Sequence, residues 1–478
     1  MINRPLSFGA LLLTLWIAVP SAVCFGAEYF VDGSVASSGS GTIASPFRTI
    51  QEGLNRAAAG DVVTVRGGAS GQTYSGSPSL PLSGTATQRI TLRAYPGEVV
   101  ILTGTSGTRL SMNRDYWTFD GLTIDQAGLA ADAVKINASH ITIQNCEIRN
   151  GQREGISIER AADVTIQDCS IRDFMWIASG TRNDAHCIMI DTSISSTING
   201  IVIQRNTIQR CSGDGTQIFG VTGQDIATYA KNISFLSNTF LEGTTTTGQT
   251  ENALDFKAGD GVLVRGNVMR GYINNKTIVV QKGSRNISIE DNVISNGLSG
   301  IEMREEGGSS FIQLNQRIVG NVIHDMSSFA LKFDGVKNAT VANNTLADIG
   351  AEGFRFERTV TSLPSVELGL IQNNLSFNVG SSPVGAGLLS GLTIGPNGWF
   401  QSSAGGLAAT ADRTGSDPGF VDGAGGNYHL TSGSACIDAG VNLGRPYSGA
   451  APDLGAYESS SGVSDTTPPA AVSDMRPR

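Results

Sequence analysis

Ile141-Thr142-Ile143-Gln144-Asn145-Cys146-Glu147-Ile148 returns 23 residues later as Val164-Thr165-Ile166-Gln167-Asp168-Cys169-Ser170-Ile171. In both copies apolar and polar residues alternate, a turn follows, and a small residue stands two before the next apolar one. A period of two means strands whose side chains point alternately to opposite faces. The marked position recurs at Cys146, Cys169, Asn206, Asn238, Asn267, Asn292, Asn321, Asn344 and Asn374, at intervals of 23 to 37 residues, and seven of the nine are Asn. An Asn amide can hydrogen-bond to its copy on the next coil while its own backbone takes a left-handed bend. No stretch with a helical period separates these strands, which excludes a βαβ protein. A β-sandwich has no reason to keep Asn in phase over so long a stretch. The reading is all-β: a right-handed parallel β-helix, one domain of about a dozen coils stacked ~4.8 Å apart.

Outside the repeat, Thr49 to Ala58 carries apolar residues at Ile50, Leu54 and Ala57/Ala58, one face of a helix. Such a helix is the natural cover for the open end of a solenoid. Asp417-Pro418-Gly419-Phe420, Cys436-Ile437-Asp438-Ala439-Gly440 and Asp453-Leu454-Gly455-Ala456-Tyr457-Glu458 break the rhythm and read as a closing segment. Residues 1–27 read as an export signal, with Arg4, a short apolar run from Ala10 to Val19, and cleavage after Gly26 or Ala27. The run falls short of the ~20 residues that a membrane span needs. Lipid attachment at Cys24 is an alternative, with Val23 where a small residue is expected. Residues 28–464 are then the β-helix domain, and 465–478, with Pro468-Pro469, a Pro/Thr linker towards a further domain. A secreted protein is expected, extracellular or periplasmic.

The chain has 478 residues, 60 of them Gly and 15 Pro, without the Gly-X-Y period of collagen. A net charge of −9 argues against a nucleic-acid binder and against a polybasic membrane clamp. Five cysteines follow the signal, so they cannot all pair within the chain. Cys146 and Cys169 share one ladder position and are expected as stacked, inward thiols. A monomer is expected.

Aligning the coils by inward pairs such as Ile156/Ile158, Leu254/Phe256, Ile278/Val280 and Ile301/Met303 stacks the residues between and beyond them on the outer face. They read Lys135/Asn137, Ser157/Glu159, Met189/Asp191, Gln217/Phe219, Asp255/Lys257, Val279/Gln281, Glu302/Arg304, Lys332/Asp334 and Arg355/Glu357, with Lys282 one step beyond. Asp184, His186, Asp214 and Glu251 lie just before their strands. In a chain with only 16% charged residues this is a dense ladder of both signs on one face. It suggests a groove for a long charged polymer. The plainer reading is a solvated sheet face whose charges pair across coils.

Over roughly residues 28–460 the chain resembles the secreted polysaccharide lyases with a β-helix fold. Gly213-Asp214-Gly215-Thr216-Gln217-Ile218 resembles the acidic coil that holds calcium in the family-nine pectate lyases, with Gly213 and Gln217 in two of the acid places. Asn252-Ala253-Leu254-Asp255-Phe256-Lys257 resembles that family's coil ending in a catalytic lysine. Alginate and chondroitin lyases of the family-six type are a second likeness: Glu251 to Lys257 stands for their acidic coil and Ile278 to Gly283 for the next, with Gln281 where an arginine is expected.

The resemblance implies β-elimination on an acidic polysaccharide, pectate-like first, alginate or a glycosaminoglycan second. Removing the proton beside a uronate carboxylate builds charge on an anion, so a calcium ion or a cationic side chain must neutralise it. Asp214, Glu251, Asn252 and Asp255 are the expected calcium ligands and Lys257 the expected base, its pKa brought down by neighbouring cations and a bound Ca²⁺. Lys282 or Arg304 takes the arginine's role, and Glu302, Lys332, Arg355 and His186 line the substrate. The bland alternatives are an ion pair of Lys257 with Asp255 or Glu302, and His186 as a polar turn residue. Rival functions are a polygalacturonase-like hydrolase using Asp184, Asp191, Asp214 or Asp255, a non-catalytic adhesin, and an epimerase sharing the first chemical step.

Overall fold

A computed structural model describes residues 26–194, 198–242, 251–305, 312–359, 364–382, 384–385 and 387–459. Apart from Gly26 and Ala27, the expected export signal lies outside these residues, as does the expected linker.

Among the described residues, alternation in the sequence becomes three parallel sheets of 14, 14 and 10 strands, each adding its strands in chain order. From Ile90 to Glu357 each coil therefore gives one strand to each sheet, the arrangement of a parallel β-solenoid. Inward residues stack in columns: Ile143, Ile166, Ile203, Phe235, Val264, Ile289, Ile318, Val341 and Ile371 pair in succession. All are at most 1% exposed. Branched and aromatic side chains suit this pleated, close-packed interior, and their burial is the main stabilising term.

The Asn ladder forms as expected and runs one coil further, to Asn397. Asn238 is typical: its Nδ2 donates to Ile203 O at 2.8 Å and to Asn267 Oδ1 at 3.0 Å, and its backbone N–H donates to the same Oδ1 at 2.8 Å. The left-handed bend, however, falls on the residue before the ladder. Asn145, Asp168, Arg205, Ser237, Asp291, Asn343 and Asn373 have φ between 50° and 58°, and Gly266 and Gly320 take the same place. Bending one residue earlier lets the ladder side chain turn inward, where its amide reaches two coils at once.

The helix spans Ile50–Arg56, capped by Thr49 in a capping box with Glu52. Ile50, Leu54 and Ala57 are buried as expected, whereas Ala58 is exposed, because the chain is already extended at Ala57. Cys146 and Cys169 are buried free thiols, with Cys146 N–H donating to Cys169 Sγ at 3.4 Å. Cys187 and Cys211, on consecutive coils, form a disulfide, and Cys436 is a buried free thiol in the closing segment. One antiparallel hairpin, Trp176–Ala178 with Thr181–Asn183, leaves the coil between the second and third sheets. Among the described residues no helix is long and apolar enough to cross a membrane.

Candidate active site

The third sheet keeps the expected register strand by strand, so Lys135, Ser157, Met189, Gln217, Asp255, Val279, Glu302, Lys332 and Arg355 form one axial row. The expectation that this row is open to solvent is corrected at its centre. Gln217, Asp255, Val279 and Glu302 are at most 3% exposed, and Gln281 of the neighbouring row is fully buried. Lys257 and Arg304, with 20% and 34% of their side chains exposed, lie against Asp255 and Gln281 and carry the boundary with water outward.

A further row, two residues before the strands, runs through Glu154, His186, Asp214 and Asn252, linked by backbone bonds from Gly155 to His186, Cys187 to Asp214 and Gly215 to Asn252. Glycine is required beside it. A Cβ on Gly213 would sit 2.9 Å from His186 Cδ2, so the acid expected at 213 would displace the imidazole.

The rows join into one buried polar chain. Glu154 Oε2 accepts from the His186 backbone N–H at 2.9 Å and faces its Nδ1 at 3.0 Å. His186 Nε2, without a hydrogen-bond partner, is 3.6 Å from Asp214 Oδ2. Asp214 Oδ1 accepts from Asn252 N–H at 3.0 Å and from Nδ2 at 2.8 Å, and Oδ2 accepts from Gln217 Nε2 at 2.7 Å. Gln217 Nε2 is also 3.4 Å from Asp255 Oδ2, while Asp255 Oδ1 accepts from Gln281 Nε2 at 2.7 Å. Gln281 Oε1 in turn accepts from Arg304 Nε at 3.3 Å and NH2 at 3.2 Å. Lys257 Nζ lies 3.3 Å from Asp255 Oδ2 and 5.8 Å from the centre of the Phe219 ring.

Burial, and then repulsion from Asp255, lifts the Asp214 carboxyl to about 7. Burial also raises Asp255 despite Lys257 beside it. For Lys257, burial favours the neutral amine, but Asp255 and Asp214 outweigh it and leave the pKa above the ordinary lysine value. This is opposite to the lowering expected from the sequence, because the groups around the ammonium are carboxylates and not cations. His186 behaves alike: burial disfavours the imidazolium, and Glu154 and Asp214 more than restore it.

Calcium takes six to eight oxygen ligands. Among the described residues no three His, Cys, Asp or Glu side chains group so as to hold a metal. Glu251 is turned into an ion pair with Arg182, Asn252 gives Asp214 its nitrogen while its Oδ1 is buried without a partner, and Gln217 Nε2 and Lys257 Nζ reach the Asp214 and Asp255 oxygens. As arranged, Asp214, Glu251, Asn252 and Asp255 do not fit an oxygen-lined calcium site.

The remaining expected residues are placed as follows. Lys282 follows its strand with φ 53°, and its Nζ donates to Gly220 O at 3.3 Å. Glu302 meets Lys332 at 2.8 Å, Lys276 at 3.7 Å and Arg304 at 3.9 Å. Lys332 is shared with Glu357 at 2.7 Å, and Arg355 pairs with Glu357 at 2.8 Å. The last coils of the ladder are thus bound to one another. His186, expected to line the substrate, is only 3% exposed and lies against Glu154 and Asp214. Sequence reasoning missed Glu154 and Arg182. Glu154 shares the offset of His186 and Asp214, a signal that was present; Arg182 belongs to the hairpin, which no repeat announces.

The molecule is therefore a parallel β-solenoid with a buried acid–amide chain and a half-buried lysine on one sheet. Residues 29–292 match the family described as "Pel9A-like, right handed beta helix region", and residues 252–410 match a right-handed β-helix region. The first match spans more than half of the sequence, and the chain belongs to that Pel9A-like family. Pectate lyase PEL9 of Emericella nidulans is 33% identical over 94 residues, 19% of this chain and 22% of that protein. The chain thus matches about a fifth of that relative's length. The crystal structure of pectate lyase Pel9A is 16% identical, with TM-score 0.46 over 91% of this chain and 97% of that one. XylC in complex with xylose, 11% identical, has TM-score 0.52 over 82% and 87%, a likeness of fold.

Proposed function

We propose that the chain is a polysaccharide lyase that opens a uronate-containing polymer by β-elimination, with Lys257 taking the proton beside the uronate carboxylate. The observation that carries this is Lys257 itself: an amine at the edge of water, against Asp255, one coil from Gln281 and two from the Arg304 that Gln281 holds, in a Pel9A-like β-helix. Lys257 Nζ, once deprotonated, accepts the C5 proton, the electrons form the C4–C5 double bond, and the C4–oxygen bond breaks; because Asp255 and Asp214 hold its pKa above the ordinary lysine value, alkaline pH favours this step. The leaving oxygen is protonated by water or by the new ammonium. Arg304 supplies the positive charge towards the substrate carboxylate. No step here passes through a metal.

Pectate is the first substrate class, supported by the relative named a pectate lyase, and alginate or a glycosaminoglycan the second. A polymer of this kind is met outside the cell, and the apolar run from Ala10 to Val19 supports export. The hydrolase alternative needs two carboxylates with a bond or a water between them. Asp214 and Asp255 are buried and joined through Gln217, which disfavours it.

Incubation with polygalacturonate, alginate and chondroitin or dermatan sulfate, with calcium or with chelator, tests the reading. Ultraviolet absorbance from an unsaturated uronate is expected with one polymer. New reducing ends without that absorbance would establish a hydrolase, and neither signal would leave an epimerase or a binding rod.

A further inference from the structure

Phe219 ends the strand Thr216–Phe219, one coil before Lys257 and in the same row: Ile218 pairs with Phe256, and the residues that follow them are Phe219 and Lys257. Gly220 lets the two chains touch, since a Cβ there would lie 2.4 Å from the Ala258 Cβ. Lys257 Nζ is 5.8 Å from the centre of the Phe219 ring. Every other residue of this row from Asn137 to Glu357 is polar or charged, and Phe219 stays partly exposed among them. The backbone that carries the ring is fastened along the axis on both sides. Thr192 Oγ1, one coil earlier, donates to Phe219 O at 2.6 Å, and Lys282 Nζ, two coils later, donates to Gly220 O at 3.3 Å. Gln224 closes the loop that follows, its Oε1 accepting from Val221 N–H at 3.0 Å and its Nε2 donating to Thr192 Oγ1 at 2.8 Å.

A uronate has a carboxylate on one edge and C–H groups on the faces of its ring. Arg304, two coils from Lys257 on the other side, offers charge to the first, and Phe219 offers a flat apolar surface to the second. From Phe219 to Arg304 is three coils, or ~14 Å, with Lys257 between them, a span that a short oligosaccharide covers. We propose that Phe219 is a sugar-stacking residue, a platform for the ring of the polymer that lies beside Lys257 on the side away from Arg304. This rests on the proposed lyase function for the identity of the polymer.

The test uses the full chain with Lys257→Ala, so that bound oligomers are not cut. Galacturonate, mannuronate and neutral xylose oligomers are titrated into it by calorimetry. One acidic oligomer is expected to bind, and its Kd should weaken about three- to tenfold when Phe219→Ala is added. Phe219→Tyr should restore the affinity, whereas Phe219→Leu, apolar but not flat, should not. With Lys257 in place, Phe219→Ala should raise KM by a similar factor without moving the pH at which kcat rises. An unchanged Kd in Phe219→Ala, restoration by Leu as well as by Tyr, or no binding of any acidic oligomer would overturn the platform. A shifted pH profile with an unchanged Kd would also overturn it and make the ring a prop for the Lys257 ammonium. Binding that depends on Phe219 in a protein that shows no elimination would keep the platform and remove the lyase, whereas elimination with a Kd indifferent to Phe219 would do the reverse.

Discussion

Gln217 joins two carboxylates: its Nε2 donates to Asp214 Oδ2 at 2.7 Å and lies 3.4 Å from Asp255 Oδ2. Both acids are almost fully buried, so one amide nitrogen serves where a bridging cation would otherwise stand. Gln217→Leu should cost about 1–3 kcal/mol, the penalty for leaving buried acceptors unpaired, read from urea midpoints. Gln217→Asp puts an oxygen in the same place, and calcium should then raise the melting temperature of this variant and not of the wild type. Calcium stabilisation of the wild type would show that the carboxylates rearrange around a metal.

The Asn ladder predicts a steep cost in the middle of the rod. Asn267 Oδ1 accepts from both the backbone and the side chain of Asn238, and its Nδ2 donates to Phe235 O and Asn292 Oδ1. Asn267→Ala strands these groups in the interior and should destabilise by about 2–4 kcal/mol in chemical denaturation. A loss under about 0.5 kcal/mol would mean that water replaces the amide.

Acid sensitivity should reach the capping end through Glu98. Hydrogen bonds from Arg66, and then from the Gly67 and Gly68 backbone, hold its carboxyl down at about 2 against an ordinary 4.5. Folded Glu98 binds its proton more weakly than unfolded Glu98. Its contribution is therefore present above about pH 4.5 and fades as pH falls towards 2. Glu98→Gln should lose about 1–2 kcal/mol at neutral pH and converge on the wild type in acid. A pH-independent difference would assign the loss to packing.

Two arginines of the ladder should separate in kinetics. Arg304 leans on the neutral Gln281 carbonyl, with Glu302 3.9 Å away, whereas Arg355 is spent on Glu357 at 2.8 Å. Arg304→Ala is expected to lower kcat/KM about 100-fold, and Arg355→Ala less than about threefold. Equal losses would move the substrate carboxylate along the rod.

Much of this was legible in residue order because a solenoid writes its contacts into its period. Ile156, Leu254 and Ile301 set the register, and Gln217, Asp255 and Glu302 then had to stack. The position of the bend was not legible: Asn238 and Ser237 are both plausible left-handed residues, and only the inward amide decides between them. Nor was the sign of the Lys257 shift, which depends on how far Asp214 and Asp255 are buried beside it. Arg182 reaches Glu251 across 69 residues from a hairpin outside the repeat, a contact that periodicity cannot carry.

The central claim is that Lys257 is the base, and the most direct measurement is the initial rate of unsaturated-uronate formation in Lys257→Ala and Lys257→Arg beside the wild type. Both variants should lose about 10²–10⁴ of the rate, Arg included, because it keeps the charge but cannot accept the proton. Unchanged circular dichroism would show that the fold survives. Lys257→Ala eliminating within tenfold of the wild type would contradict the account and reduce Lys257 to the ion pair that it makes with Asp255.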